Sequence, residues 1–343
     1  MTENRRDEFG LISYVTGRQK VPTTLRKRIT VGNGDDAAIV AGRVNYEWVA
    51  CCDTMVEDVH FKRQTMLPSD IGHKALASNI SDVAAMGGIP LFYLVSLGLP
   101  HTWSEEEVAE IYDGMGALAL RYNMALIGGD TVAVSGPLTL TITVLGEVER
   151  GHGLLRSSAR PGDAVFLTGT VGDSGAGLDI LLQERWGIAN IPAEWMPLAN
   201  RHRLPEPDVQ AGRLLATSGI RVALNDISDG LASEAWEIAQ ASNVRLELEE
   251  AAIPLSAPIL HYADVSGNNA LDWAFYGGED YRLVGCVSAK HKENISRAFA
   301  ERELPLYWIG EVQAGSPEVR IHWQNGESTT LPKKGYNHFN EER

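Results

Sequence analysis

Two carboxylates stand three residues apart in Asn225-Asp226-Ile227-Ser228-Asp229-Gly230-Leu231. An apolar strand, Val222-Ala223-Leu224, runs in, and a helical pattern, Leu231-Ala232-Ser233-Glu234-Ala235-Trp236, runs out. A carboxylate behind an apolar run is costly to bury unless it is paired or bound to a cation. Asp226 is therefore a candidate ligand. Asp229 reads either as a second ligand or as the helix N-cap. The same chemistry recurs in Gly34-Asp35-Asp36-Ala37-Ala38, Cys52-Asp53-Thr54, Asn79-Ile80-Ser81-Asp82 and Gly128-Gly129-Asp130-Thr131. Five acidic places beside apolar elements predict a shared cluster of hard oxygen ligands. Mg²⁺ takes carboxylates, water and substrate phosphates, so the pattern points to phosphate chemistry.

The elements that must position these residues follow from local patterns. A strand over Trp48-Val49-Ala50-Cys51-Cys52 is closed by Asp53. A helix opens at Pro68-Ser69-Asp70, runs to about Met86 and stops at Gly87-Gly88. It carries Lys74, Ser78 and Asp82 on one face, either as a solvated stripe or as a face offering Asp82 to a metal. Ser104 and Glu107 have capping-box spacing and start a second helix. A strand at Met124-Ala125-Leu126-Ile127 ends at Gly128-Gly129-Asp130. The glycine-rich stretch Gly169 to Gly177 opens another helix and has the composition to hold a phosphate on backbone N–H groups. It is neither a Walker loop nor a dinucleotide fingerprint. Gly277-Gly278-Glu279-Asp280-Tyr281 leads into the strand Leu283 to Val287. Strands and helices alternate in both halves, which predicts α/β or α+β architecture in two domains meeting near Arg150.

The totals are consistent with this. A chain of 343 residues can hold two cores, and it is 44% hydrophobic and 22% charged. No apolar run approaches the roughly 18 residues of a membrane helix. The N-terminal residues lack the apolar segment of a secretory signal, so a cytoplasmic protein with no membrane partner is expected. The net charge of −15 disfavours nucleic acid and makes bound cations plausible for a protein that handles phosphates. Three cysteines, two of them adjacent, form neither a disulfide framework nor a zinc spacing.

Taken in order, Gly34-Asp35-Asp36, Lys74-Ala75-Leu76-Ala77 through Ser81-Asp82-Val83-Ala84-Ala85-Met86-Gly87, Gly128-Gly129-Asp130-Thr131, Asp226-Ile227-Ser228-Asp229-Gly230-Leu231 and Gly277-Gly278-Glu279-Asp280-Tyr281 resemble thiamine-monophosphate kinases. These belong to the superfamily of aminoimidazole ribonucleotide synthetase and selenophosphate synthetase. The resemblance runs from about Phe9 to Phe339. It implies a two-domain aminoimidazole ribonucleotide synthetase-like fold. Residues 1–150 would form an N-terminal ATP- and Mg-binding domain, whose sheets join into a barrel across a homodimer interface. Residues 151–343 would form a C-terminal α/β domain completing the site.

The resemblance further implies ATP-dependent conversion of thiamine monophosphate to thiamine diphosphate with several Mg²⁺ ions. By position, Asp36, Asp53, Asp82, Asp130, Asp226 and Asp229 would be metal ligands, with Asp35 as a neighbouring acid. Tyr112, Gly129, Asp130, Arg156 and Ser228 would contact ATP, and a guanidinium such as Arg156 suits a phosphate. His60, Glu279 and Tyr336 would contact the substrate. No residue is implied as acid, base or nucleophile, because the acceptor is already an ionised phosphate oxygen. Cys51-Cys52 departs from the usual Ser-Thr of the family, and thiol sulfur is a poor Mg²⁺ ligand. Backbone carbonyls or water would then supply that oxygen. The alternatives are another ATP-using enzyme of the superfamily and a non-catalytic nucleotide- or metal-binding scaffold.

Overall fold

A computed structural model describes residues 8–33, 37–183, 186 and 188–335. The chain divides into two compact units, one of residues 1–83 and 89–150, the other of residues 84–88 and 151–343.

The first unit begins with helices α1 (Glu8–Gly17) and α2 (Thr23–Arg26), then a small hairpin of β1 (Ile29–Val31) and β2 (Ile39–Val40). It continues with β3 (Tyr46–Val56), α3 (Pro68–Ala85), β4 (Ile89–Pro100), α4 (Glu105–Arg121), β5 (Ala125–Val134) and β6 (Thr139–Glu149). The last four strands form one sheet in the order β3-β6-β4-β5, antiparallel except for β4 beside β5. Its alternation is that of a half-buried sheet: Leu140, Ile142 and Val144 are buried, and Thr139, Thr141 and Thr143 less so. Helix α4 starts as the spacing requires, with both halves of the Ser104–Glu107 capping box formed. Helices α3 and α4 approach backbone to backbone. A Cβ at Gly72 would lie 1.8 Å from the Ile111 carbonyl oxygen, and one at Gly114 would lie 1.9 Å from that of Ser69.

Two strands run past the residues expected to end them. Asp53 lies inside β3, and Gly128 to Asp130 lie inside β5. Both segments continue as ladder partners, Asp53 opposite Ile142 and Asp130 opposite Ser96. Polar residues persist because one face of the sheet remains accessible.

The second unit holds β7 (Asp163–Leu167), α5 (Asp173–Leu181), α6 (Met196–Arg203), α7 (Val209–Ala216), β8 (Val222–Asp226), α8 (Leu231–Ser242) and β9 (Arg245–Glu249). Then come α9 (Ala257–Ser266), α10 (Ala270–Tyr276), β10 (Leu283–Ser288), α11 (Lys292–Ala300), β11 (Tyr307–Gln313), β12 (Glu318–His322) and β13 (Ser328–Thr330). Its seven strands run β13-β12-β9-β11-β7-β10-β8, with only β12 and β9 parallel among the named pairs. Successive residues of β7 feed opposite layers. Val165 and Leu167 pack with Leu231, Ala235 and Ile238 of α8. Phe166 packs with Leu215 of α7 and Phe299 of α11. Strands buried on both faces explain the continuous apolar runs of β7, β8 and β10. A satellite core joins α5, α6 and α9 around Ile180, Trp195, Leu198 and Tyr262.

Candidate active site

In the first unit, α3 lies along β3. Cys51, Asp53 and Met55 share one face of that strand, the more buried one, while Cys52 and Thr54 are exposed on the other. Asn79, fully buried on α3, ties the two elements: its Oδ1 accepts from the Asp53 N–H at 3.1 Å, and its carbonyl accepts from the Cys51 thiol at 3.3 Å. Ser78, whose hydroxyl donates to the Ala75 carbonyl at 3.1 Å, and His60 both stand near the Asp53 carboxylate and favour its ionised form. Burial nevertheless pushes the Asp53 carboxyl above its ordinary range, against those two favourable partners. Asp82 lies beside the Cys51 thiol. Burial, then Asp82 and Asp53, push its thiol far up, so it stays protonated.

The stripe Lys74, Ser78, Asp82 is therefore not a solvated face. Lys74 is fully buried and Ser78 nearly so. His60 sits in a turn after β3, where its Nδ1 accepts from the Val56 N–H at 3.0 Å. A backbone N–H can only donate, so Nδ1 carries no proton and Nε2 is the ring's remaining donor.

Asp130 belongs to a different row of the sheet. Thr54, Thr141, Ser96 and Asp130 pair in sequence across the four strands and form a polar line on the accessible face. Its carboxylate is exposed and accepts from the N–H of Thr131 at 2.9 Å. Gly129 beside it has a packing reason for its identity, because a Cβ there would lie 1.9 Å from the Val95 carbonyl oxygen. Tyr112 of α4 is buried, with its phenol beside Thr131.

In the second unit, Asp226 ends β8 and is 3% exposed, where an apolar run delivers it toward the core. Gly230, at φ 105°, occupies the N-cap of α8, and no side chain caps that helix. The capping role read for Asp229 is thus not its role here. The loop is organised by Glu234, buried in the first turn of α8. Its carboxylate accepts from Asn225 Nδ2 at 2.6 Å, the Asp229 N–H at 3.2 Å and Ser228 Oγ at 3.3 Å. Asn225 Oδ1 accepts from Arg156 Nε at 2.7 Å, and Arg156 also pairs with Glu237 at 2.9 Å, its side chain half exposed. Burial raises the Glu234 carboxyl well above the usual range, and Glu237, Asp226 and Asp229 add to it.

The segment 277–281 lies directly against this loop. The Glu279 N–H donates to the Ser228 carbonyl at 2.7 Å, and that of Tyr281 to the Ile227 carbonyl at 2.9 Å. A Cβ at Gly278 would lie 2.3 Å from the same Ser228 oxygen. Gly335 reaches the other side, where a Cβ would lie 3.0 Å from the Asp229 carbonyl. Three stretches far apart in sequence thus meet around Ser228 and Asp229.

The N-terminus of α5 is taken by a protein carboxylate. Asp280 accepts from the Gly172 N–H at 2.6 Å and the Ser174 N–H at 3.1 Å. The glycine-rich stretch read as a phosphate loop already carries its anion.

Residues 34–148 match the family described as AIR synthase related protein, N-terminal domain, and residues 160–322 match AIR synthase related protein, C-terminal domain. The chain is 47% identical to the thiamine-monophosphate kinase of Bacillus subtilis over 97% of its own length and 99% of the relative's. The chain belongs to the thiamine-monophosphate kinase family. The Escherichia coli K12 kinase is 37% identical, with 97% and 98% of the two chains covered. Among solved structures, thiamine-monophosphate kinase from Stenotrophomonas maltophilia matches with a TM-score of 0.82 at 35% identity, covering 94% of this chain and 98% of that one. "AaThiL complexed with AMPPCP and TMP" matches with a TM-score of 0.76 at 31% identity and 97% coverage of both chains.

As a member of this family, the chain has the two-domain fold of mixed sheets and helices, and the described residues contain no closed barrel. Among the described residues, no three His, Cys, Asp or Glu side chains form a preassembled metal cage. Within each unit, Asp53 and Asp82 both lie beside Cys51, and Asp226, Asp229 and Glu237 lie around Glu234. Asp35, Asp36 and Tyr336 lie outside the described residues. Among the described residues, no helix is long and apolar enough to cross a membrane. Sequence reasoning missed Asn79, Asn225, Glu234 and Glu237. A Glu eight residues after Asp226, in the first turn of the helix it precedes, was the available signal for Glu234.

Proposed function

We propose that this chain transfers the γ-phosphoryl group of ATP to thiamine monophosphate, releasing ADP and thiamine diphosphate. The observation that carries the reading is the near-full-length likeness to the Bacillus subtilis kinase. The relative solved with AMPPCP and TMP supports both ligand classes. In the reaction, a phosphate oxygen of the acceptor attacks the γ-phosphorus. A new P–O bond forms as the bond to the β-phosphate oxygen breaks, and the electron pair leaves with ADP. The attacking oxygen is already ionised, so the protein supplies no base and forms no phosphorylated intermediate.

What the protein supplies is position and charge balance. Two unit like charges ~4 Å apart repel by roughly 4 kcal/mol at an effective dielectric of 20. The donor set fits Mg²⁺: hard carboxylate oxygens crowd one another until burial and mutual repulsion raise Glu234. Asp36, Asp53, Asp82, Asp130, Asp226 and Asp229 would hold the ions, and Mg²⁺ when bound would neutralise phosphate charge. Cys51 would contribute no sulfur ligand, its thiol being held protonated. Arg156, Ser228, Gly129 and Asp130 serve the ATP side. Tyr112 acts there through Thr131, which it stands beside. His60, with Nε2–H as its donor, Glu279 and Tyr336 serve thiamine monophosphate. The reading brings with it a cytoplasmic homodimer in which sheets of residues 1–150 join into a barrel.

ADP release, measured side by side with thiamine monophosphate, thiamine and an aminoimidazole precursor, tests it. Release with thiamine monophosphate alone is expected. ATP binding without ADP release would point to a scaffold, and release with the aminoimidazole precursor to another enzyme of the superfamily.

A further inference from the structure

Glu279 is held by its backbone. Its N–H is fixed on Ser228, and the next residue, Asp280, is pinned on Gly172 and Ser174. Glu279 itself sits at φ 66°, a left-handed conformation uncommon for a residue with a Cβ. Its carboxylate is 27% exposed. Behind it lies His202 of α6, 1% exposed. Nδ1 of His202 is 3.4 Å from Glu279 Oε2 and 3.1 Å from Ser174 Oγ. A lone pair at Nδ1 would repel an ionised carboxylate, so the form that suits this geometry carries the proton at Nδ1 and directs it between the two oxygens. Gly177 permits the arrangement: a Cβ there would lie 2.2 Å from the Leu198 carbonyl and 3.2 Å from the Cβ of His202. Helix α6 comes this close to α5 only because that position has no side chain.

We propose that His202 is a positioning residue for the substrate site, orienting the Glu279 carboxylate that receives thiamine monophosphate. The inference rests on the kinase reading and on Glu279 as a substrate contact. Its chemistry is specific to one side of the reaction. Thiamine carries an exocyclic amine and a cationic thiazolium, both matched by a fixed carboxylate, and ATP offers a site of this kind no cation. A misoriented Glu279 therefore weakens the acceptor and leaves the nucleotide alone.

The test compares His202→Asn with His202→Gln. Asparagine can place an amide N–H where Nδ1 stands, and glutamine carries its amide further out, toward Nε2. His202→Asn should keep KM for thiamine monophosphate within about threefold, and His202→Gln should raise it about tenfold, the scale of one hydrogen bond to a charged group. KM for ATP should stay within about twofold in both. In a Glu279→Gln background, His202→Gln should add no further rise. Equal KM values for the two variants would overturn the proposal, as would effects that follow the urea midpoint or add fully to Glu279→Gln. An unchanged KM in Glu279→Gln alone would remove its premise and overturn it too. The kinase reading fails separately, when the unaltered chain releases no ADP with thiamine monophosphate.

Discussion

Asp280 Oδ2 accepts the N–H of Gly172 at 2.6 Å, at the first turn of α5. The carboxylate does what a bound phosphate does elsewhere at a helix N-terminus, meeting free N–H groups at the positive end of the helix. This explains a glycine-rich stretch without assigning it a ligand. It also ties the segment 277–281, through Asp280, to α5 on one side and, through Glu279, to the Asp226–Asp229 loop on the other.

Replacing Asp280 by Asn should therefore destabilise the fold by about 1–3 kcal/mol, since an amide cannot accept from both N–H groups with two oxygens. The pH dependence should change as well. Burial pushes the Asp280 carboxyl up to about 7, against the two N–H donors that favour its ionised form. A folded value above the unfolded one means that the folded state binds the extra proton. Its contribution is full below the unfolded value and is lost as pH rises through about 7. Urea unfolding at pH 5 and pH 8 should show a smaller pH loss in Asp280→Asn than in the unaltered chain. An identical loss in both would mean that Asp280 does not titrate in this window.

The parts of this architecture legible in sequence are those set by local rules. The Ser104–Glu107 box formed because each partner is within one helical turn of the other. Asp226 was readable as buried because the residues before it are uniformly apolar. What failed depended on tertiary packing. Lys74 has the spacing of a solvent-facing residue, yet α3 is covered on that side as well. Asp229 has the side chain of an N-cap, but Gly230 follows and takes that position with a φ that favours glycine. The roles of Glu234, Asn79 and His202 are set by partners on other elements, so a single sequence offers no periodic signal for them. Helices α9 and α10 and strands β12 and β13 went unread between stronger patterns.

Glu234 offers a second experiment. Its carboxyl is raised by burial and by Glu237, Asp226 and Asp229, and three donors face it. Without divalent cations a neutral acid is favoured, and glutamine is its closest mimic. In chelator, Glu234→Gln keeps one acceptor oxygen and should lose about 1 kcal/mol, while Glu234→Ala should lose about 2–3 kcal/mol by orphaning both Asn225 and the Asp229 N–H. A folded value above the ordinary one also means that this group's contribution fades as pH rises toward it. Equal losses for Gln and Ala in urea titrations would place an ionised carboxylate at this position.

The three cysteines should separate by reactivity. Cys52 is exposed on the accessible face of β3. Cys51 is held protonated by burial and by Asp82 and Asp53, and Cys286 by burial in β10 and by Asp163. The thiolate is the reacting form, so a disulfide reagent at pH 8 should modify one thiol per chain quickly and the other two only on unfolding. Cys52→Ser should abolish the fast phase. A fast phase that survives it would show Cys51 open to solvent and its neighbouring acids differently arranged.

Asp130 separates a catalytic role from a structural one more cleanly than the buried acids do. Its carboxylate is exposed, and the bond described for it is to the N–H of its own neighbour, Thr131. Neither feature supports the fold strongly, and exposed substitutions of this kind usually cost within ~0.5 kcal/mol. If the carboxylate holds a cation that neutralises phosphate charge, Asp130→Asn should lower kcat by about a hundredfold, the scale seen when one preorganised electrostatic contact is removed. The urea midpoint should hardly move, and the added Mg²⁺ needed for half-maximal rate should rise. Asp53→Asn differs in kind, because Asp53 is half-buried on the α3-facing side of β3, near Ser78 and His60, so stability and turnover should fall together there. A stability loss in Asp130→Asn as large as its rate loss would return Asp130 to an ordinary place in the sheet and remove it from the phosphate chemistry.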